Sequence, residues 1–276
     1  MIMIEKVGKY DFMAEPFHCD FAERLFMSHL GNHLLNAADF HSTDRGFGMH
    51  YLNTIGRTWV LSRLAVELPE MPRAYDRFSV ETWVESAMRF FTNRNFRITG
   101  KKESGVRSQE SGVRSQESGE GKGTEKVYGY GRSVWAMIDV ATRQPVDLLS
   151  VNDGKLAEYV EKDKLCPIEK PSHAKMADDA PAVRTFVAQY SDIDMNGHVN
   201  SVKYIEHVLD LWDTAWFSQH PLRRFDIAYV AESRLGDELT LYCEQTDELA
   251  FSVRIARTLP ADGSQVEACR CKLVFG

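Results

Sequence analysis

Apolar residues recur at two spacings along the chain, and the switch between them predicts its elements. Residues 57–68, 77–85 and 90–98 read as strands. The second of these (Arg77-Phe-Ser-Val-Glu-Thr-Trp-Val-Glu) alternates cleanly enough to bury one face. Pro69 and Pro72 mark the turn between the first two. Ahead of them, Leu25, Phe26, Leu30, Leu34 and Ala37 share one face of a helix predicted over 21–38. A strand over 10–19 is interrupted, or placed on a sheet edge, by Pro16. A strand over 126–140 completes the first set. The order then returns: a strand over 183–190, a helix over 201–218, and strands over 224–232, 238–245, 249–257 and 266–275. In the second helix Val202, Ile205, Val208, Leu209, Trp212 and Trp216 fall at helical spacing, and the tryptophans read as core.

Strand, long helix and four strands therefore occur twice, a duplication of architecture without obvious sequence identity. A long helix followed by a run of adjacent strands forms an α+β unit with the helix on one sheet face. Two domains are expected, 1–147 and 183–276, joined by a charged, proline-interrupted linker over 148–182 with a short helix near 154–162. The segment 103–123 differs in kind, because Glu-Ser-Gly-Val-Arg-Ser-Gln stands twice in tandem, at 103–109 and 110–116. One valine per repeat cannot supply the two core positions of a coiled coil, so a hairpin tip with little to bury is expected.

Composition narrows the function. The chain has 276 residues, 43% hydrophobic and 26% charged, as in an ordinary soluble globular protein. With 33 basic and 40 acidic side chains the net charge is −7, which argues against nucleic acid as a partner. No apolar run approaches the roughly 18 residues of a membrane span, so no membrane partner is expected. The opening Met-Ile-Met-Ile-Glu-Lys meets charge at once, unlike a signal peptide. Five cysteines form no CxxC pair and suit a reduced, cytoplasmic setting; Cys243, Cys269 and Cys271 read as strand core.

The candidate chemistry lies in Tyr190-Ser-Asp-Ile-Asp-Met-Asn-Gly-His-Val-Asn, which runs directly into the second helix. Asn196-Gly197 is a turn signal, and Asn200 or Ser201 is a natural N-cap. Asp194, Asn196 and His198 are thereby gathered beside backbone N–H groups that have no helical partner. Such a place suits a reaction that develops negative charge on oxygen. The plain alternative is a capped turn, with Asp194 and Asn196 bonding the local backbone and His198 exposed. His29 and His33, four apart on a helix, could share a metal ion, yet no acidic partner stands near them and no metal is expected. Gly129-Tyr-Gly131 sits inside a strand pattern and does not read as a phosphate loop.

The run Asp194-Met-Asn-Gly-His-Val-Asn-Ser-Val-Lys-Tyr-Ile resembles the signature of the fatty acyl-ACP thioesterases. Trp59-Val-Leu-Ser-Arg with Glu81-Thr-Trp-Val, and Ile227-Ala-Tyr-Val-Ala-Glu-Ser-Arg-Leu-Gly-Asp, are similar to further stretches of that family. The resemblance implies a tandem hotdog fold whose first domain shapes the acyl pocket and whose second carries the chemistry. It implies Asp194, Asn196, His198 and Glu232 as the catalytic set, with no cofactor. It also implies hydrolysis of a fatty acyl thioester on acyl carrier protein. Where plant members carry a cysteine next, this chain has Ser233, which favours the carboxylates over a thiol. The transit segment of plant members is absent, consistent with a bacterial protein. Whether Asp194 or Glu232 is nucleophile or base stays open at this stage, and so does a homodimer.

An acidic carrier calls for a basic patch, and the candidates are Arg89, Arg94, Arg97, Lys101 and Lys102, with Arg223 and Arg224. The alternatives are a general acyl-CoA thioesterase, a hotdog hydratase using Glu206 or Asp210, and a non-catalytic acyl-binding protein.

Overall fold

The alternating and periodic segments become, in chain order, β1 (Gly8–Met13), α1 (Met27–Asp44), α2 (Met49–Thr54), β2 (Arg57–Glu67), β3 (Arg77–Ala87), β4 (Phe91–Lys101), β5 (Glu125–Asp139), α3 (Lys155–Glu158), β6 (Ala182–Val187), α4 (Ser201–Leu209), α5 (Thr214–Gln219), β7 (Leu222–Tyr229), β8 (Glu238–Asp247), β9 (Ala250–Thr258) and β10 (Gln265–Phe275). The computed structural model describes residues 4–101, 125–172 and 174–276, so the tandem repeat lies outside the described residues.

All these strands join in one antiparallel sheet, ordered β1-β3-β4-β5-β2-β7-β10-β9-β8-β6. Read inward from either edge the order is the same once β1–β5 are matched to β6–β10, so the duplication seen in the pattern is a duplication in space. The seam is β2 against β7, from Arg63 opposite Ala228 to Glu67 opposite Arg224. There the Arg224 guanidinium meets Glu67 at 2.8 Å and the buried Asp226 at 2.7 Å, while Asp226 also accepts the Ser172 amide at 2.9 Å. Burial alone would pull the Arg224 pKa down; the two carboxylates outweigh it and push it up.

α1 and α4 pack on each other within the curve of the sheet. A Cβ on Gly31 would lie 3.3 Å from Val202 and 3.5 Å from Ile205, so only glycine allows this approach without displacement. Leu30 and Leu34 of α1, Phe78 and Phe96 of the first half, and Ile205, Val208, Ile255 and Leu273 of the second form one core. A helix cradled by an antiparallel sheet, twice over, is the expected α+β double hotdog. Cys269 and Cys271 lie in that core, and Trp212 and Trp216 pack on it through Phe251 and Phe275.

Several expected boundaries move, for physical reasons. The first helix starts at Met27 rather than 21, because the Asp20 carboxylate accepts the amides of Ala22 and Arg24 and holds that stretch as a turn. It runs on to Asp44. The second helix is not continuous to 218, since Asp213 caps a new helix by accepting the Trp216 amide at 2.8 Å. β1 ends at Met13, ahead of a 3-10 turn over Pro16–His18. The segment 148–182 does not hang free: Leu148, Val151 and Leu156 pack with Phe47, Leu52, Val84 and Met137, and Cys166 and Ile168 pack against Trp83. Among the described residues no helix is long and apolar enough to cross a membrane.

The seam yields a test. Asp226→Ala leaves Arg224 half-compensated and the Ser172 amide unpaired, so urea unfolding should report a loss of about 3 kcal/mol. An unchanged midpoint would mean that this ionic cluster contributes nothing to holding the halves together.

Candidate functional site

The polar run before α4 folds into a turn that Asp194 ties from both sides. Its amide donates to the His198 carbonyl at 2.8 Å, and Gly197 donates back to the Asp194 carbonyl at 3.0 Å. Gly197 has φ +79°, a conformation that costs little for glycine alone. One carboxylate oxygen, Oδ1, accepts the amides of Asn196 at 2.8 Å and His198 at 3.2 Å. The other, Oδ2, accepts the Asn196 side-chain amide at 3.3 Å. Asp194 and Asn196 thus bond locally, as a capped turn predicts.

His198 departs from that plain reading. Its imidazole is only 19% exposed, and Nε2 lies 3.3 Å from Oε2 of Glu232. Glu232 is delivered by the segment just past β7, where the amides of Val230 and Ala231 both donate to Ala268. Its other oxygen, Oε1, is bound by the guanidinium of Arg143. Arg143 belongs to the turn after β5, in the other half of the molecule, and no sequence signal marked it. That turn is capped by Asp139, which accepts the amides of Ala141 and Thr142. The four expected residues therefore fall into two pairs, Asp194 with Asn196 and His198 with Glu232, joined through the His198 backbone.

Supporting contacts fix the loop at both ends. The Val199 amide donates to the Ser233 carbonyl at 2.8 Å, and Asn200 caps α4 by accepting from Val202 at 3.2 Å. The Asn200 amide donates to Asp192, whose buried carboxylate meets His207 Nε2 at 3.0 Å. His207 in turn stacks on Phe186 at 3.7 Å. These bonds consume the amides of Val199, Asn200 and Val202. Among the described residues the Ser201 N–H has no partner, which leaves it as a donor for a developing negative charge. Ser233 is completely buried beside the Tyr204 phenol, a poor position for a nucleophile.

Other expected features are placed differently. Arg94 is not a surface charge: it is buried between Ser42 at 3.0 Å and Thr82 at 3.1 Å, and burial with nearby Arg45 draws its pKa down to about 9. Arg97 pairs with Glu81 and Glu125, Arg89 with Asp147, and Arg224 with Glu67 and Asp226, so these members of the two basic clusters are not free charges. Lys102 lies outside the described residues. His29 stacks on His18 at 4.0 Å, and His33 packs on Phe12 and Phe78. Among the described residues no group of three His, Cys, Asp or Glu side chains is placed to hold a metal.

Comparison with known proteins gives concordant matches over most of the chain. Residues 6–112 match the family model described as acyl-ACP thioesterase N-terminal domain, and residues 175–273 the one described as acyl-ACP thioesterase C-terminal domain. A solved acyl-ACP thioesterase from Bacteroides thetaiotaomicron is 47% identical, with a TM-score of 0.82 over 98% of both chains. The 12:0-ACP thioesterase from Umbellularia californica shares the fold at a TM-score of 0.78, over 100% of this chain and 99% of that one, with 16% identity. An oleoyl-acyl carrier protein thioesterase of Coriandrum sativum is 26% identical over 259 residues, 89% of this chain. This chain covers 62% of that relative's length and 49% of the length of a similar Arabidopsis thaliana protein.

The turn itself can be tested. A Cβ at Gly197 meets nothing within 4 Å, so Gly197→Ala carries only the backbone cost of the left-handed conformation, about 1–2 kcal/mol. A lowered melting temperature of matching size is expected; an unchanged one would mean that the turn does not require that conformation.

Proposed function

Because the chain belongs to the acyl-ACP thioesterase family, we propose that it hydrolyses the thioester of a fatty acyl chain carried on acyl carrier protein and releases the free fatty acid. The observation that carries this reading is the imidazole of His198, held against Glu232 by a carboxylate that Arg143 clamps from the opposite half. An imidazole fixed by a carboxylate is the base-and-orienter arrangement of acyl transfer.

The division of labour follows from how the two carboxylates are used. Both Asp194 oxygens are engaged by local amides, so Asp194 holds the turn that presents His198. Glu232 orients the imidazole through Nε2 and leaves Nδ1 to take a proton from a water that attacks the thioester carbon. The Ser201 amide faces the oxygen that becomes negative. As the carbon–sulfur bond breaks, the imidazolium returns its proton to the departing thiolate, so hydroxyl goes to the acid and hydrogen to the thiol. Residues 1–147 shape the acyl pocket and contribute Arg143, while 183–276 supply the remaining groups. α1 and α4 already pair within one chain, so a single chain is the proposed working unit, in the cytoplasm; sedimentation at working concentration separates it from a homodimer. The hydratase reading gains nothing, since Glu206 is paired with Lys203 at 2.7 Å and Asp210 with Arg184 at 3.3 Å.

Release of free thiol from a long-chain acyl thioester tests the proposal. His198→Ala and Glu232→Gln should each lower kcat by at least about 10²-fold while melting shifts little. Ser233→Ala should keep most of the rate. Near-normal turnover in the first two, or collapse in the third, removes this mechanism.

The carrier is tested through Arg234, which is exposed beside the site and whose guanidinium has no partner among the described residues. Arg234→Glu should reduce kcat/KM for an acyl carrier protein substrate at least about fivefold more than for the matching acyl-CoA, with the difference shrinking as salt rises. Equal effects on both would leave a general acyl-thioester hydrolase.

A further inference from the structure

The loop before α1 repeats the loop before α4 nearly bond for bond. Asp20 stands where Asp194 stands: its Oδ1 accepts the amides of Ala22 at 2.8 Å and Arg24 at 2.9 Å, and its own amide donates to the Arg24 carbonyl at 2.7 Å. Glu23 adopts φ +60°, matching the left-handed Gly197. The facing loop repeats too. Leu25 donates to Pro72 as Val199 does to Ser233, and the amides of Arg73 and Arg234 each donate 2.8 Å to an aspartate three residues on. In this register Ala22, Arg24 and Met71 occupy the places of Asn196, His198 and Glu232. The backbone of a catalytic loop is kept, but the imidazole and the second carboxylate are gone. Arg24 takes up the remaining oxygen of Asp20 at 2.8 Å.

This copy opens on a cavity of about 970 Å³, at the upper end of the range for small-molecule sites, between the start of α1 and the far end of α4. None of Asp194, Asn196, His198 or Glu232 lines it. Its apolar wall includes Phe21, Phe26, Met71, Leu209, Trp212 and Phe217. Phe21 and Phe26 remain 55% and 45% exposed, an uncovered aromatic surface of the kind that marks a ligand or partner site.

The charges on its rim do not cancel locally. Each lining acid is already paired: Asp20 with Arg24, Glu70 with Lys126, Glu206 with Lys203, and Asp210 with Arg184. Arg73 and Arg223 have no carboxylate partner among the described residues; Arg223 reaches only the Pro69 carbonyl. His29, also on the rim, is held toward its neutral form by burial and by His18. The uncompensated groups are thus two guanidiniums above an apolar wall.

The geometry points to a second, non-catalytic site between the two halves, beside the loop before α1, that binds a long-chain aliphatic carboxylate. The chain lies along the aromatic wall and the carboxylate meets Arg73 and Arg223. Guanidinium matches carboxylate geometry, every lining acid is held by a cation of its own, and the His198–Glu232 pair has no counterpart in this loop. In its choice of ligand this rests on the hydrolase reading, because a fatty acid anion is that reaction's product.

Calorimetric titration with dodecanoate, below its aggregation concentration, tests the site on the full chain. One saturable event is expected. It should weaken at least about tenfold in Arg73→Ala/Arg223→Ala, stay within about threefold in Arg73→Lys/Arg223→Lys, and be at least about tenfold weaker for dodecan-1-ol. It should be unchanged in His198→Ala/Glu232→Gln. No saturable event, equal binding of the alcohol, indifference to loss of both arginines, or loss on altering His198 and Glu232 would each overturn the site. Turnover of the unaltered protein, measured alongside, keeps failure of the hydrolase reading distinct: that failure would abolish turnover and leave dodecanoate binding intact.

Discussion

The antiparallel pairing of β2 with β7 is the constraint on which the rest of the molecule depends. It joins two five-stranded sheets that would otherwise each present a bare edge, with the hazard of wrong pairing that such an edge carries. It also sets α1 against α4 and brings the turn after β5 within reach of the segment after β7. A slip of one residue at this seam would turn every side chain to the opposite face. Glu67 opposite Arg224, with Asp226 buried beneath, gives one register a charge match that its neighbours lack. The ions act here as a registration device at one end of the seam, beside Leu64, Ala65, Val66, Phe225 and Ile227.

Given that frame, the two carboxylates of the candidate site acquire different characters. Asp194 is surrounded by neutral amide donors from its own turn, which bind its lone pairs and fix the backbone. Glu232 stands between a guanidinium and an imidazole contributed by separate parts of the chain. Two acids in unlike environments are suited to unlike tasks, one to fixing a backbone turn and one to orienting a cation. The large cavity belongs to neither, and the loop beside it shows what the same backbone becomes when the imidazole and the second acid are replaced.

Much of this was legible in the sequence because it is written in short-range terms. Alternation located β2 to β10 to within three residues at each end, though the strand expected over 10–19 stops at Met13, and the Asn196-Gly197 signal with the Asn200 cap located the turn and the start of α4. The likeness of two motifs put Glu232 beside His198. What failed was the part decided by long-range contact. Residues 21–26 have helical spacing, yet Asp20 and Pro72 hold them as a turn. Asp213 divides a helix whose apolar stripe runs straight through it. Arg94 looks like a surface charge on an alternating strand, but Ser42 of α1 and Thr82 of β3 enclose it. Arg143 carries no local signature, because its partner lies 89 residues away. The repeat of one loop in the other was invisible for a related reason: apart from Asp20 with Asp194 and Asp76 with Asp237, it is kept in backbone hydrogen bonds, which leave no mark on the choice of side chain.

The clamp of Arg143 on Glu232 has a consequence for how the molecule comes apart. It spans the two halves at the rim of the seam, where the groups are 44% and 40% exposed rather than locked in the core. Proteins open in cooperative sub-units well below their global unfolding free energy. Any excursion that parts β2 from β7 separates the guanidinium from the carboxylate while each helix and its own sheet remain folded. Heat or denaturant would then break this ion pair in a population that still looks native by its secondary structure. The integrity of this one contact is thereby a gauge of docking between the halves rather than of folding within them.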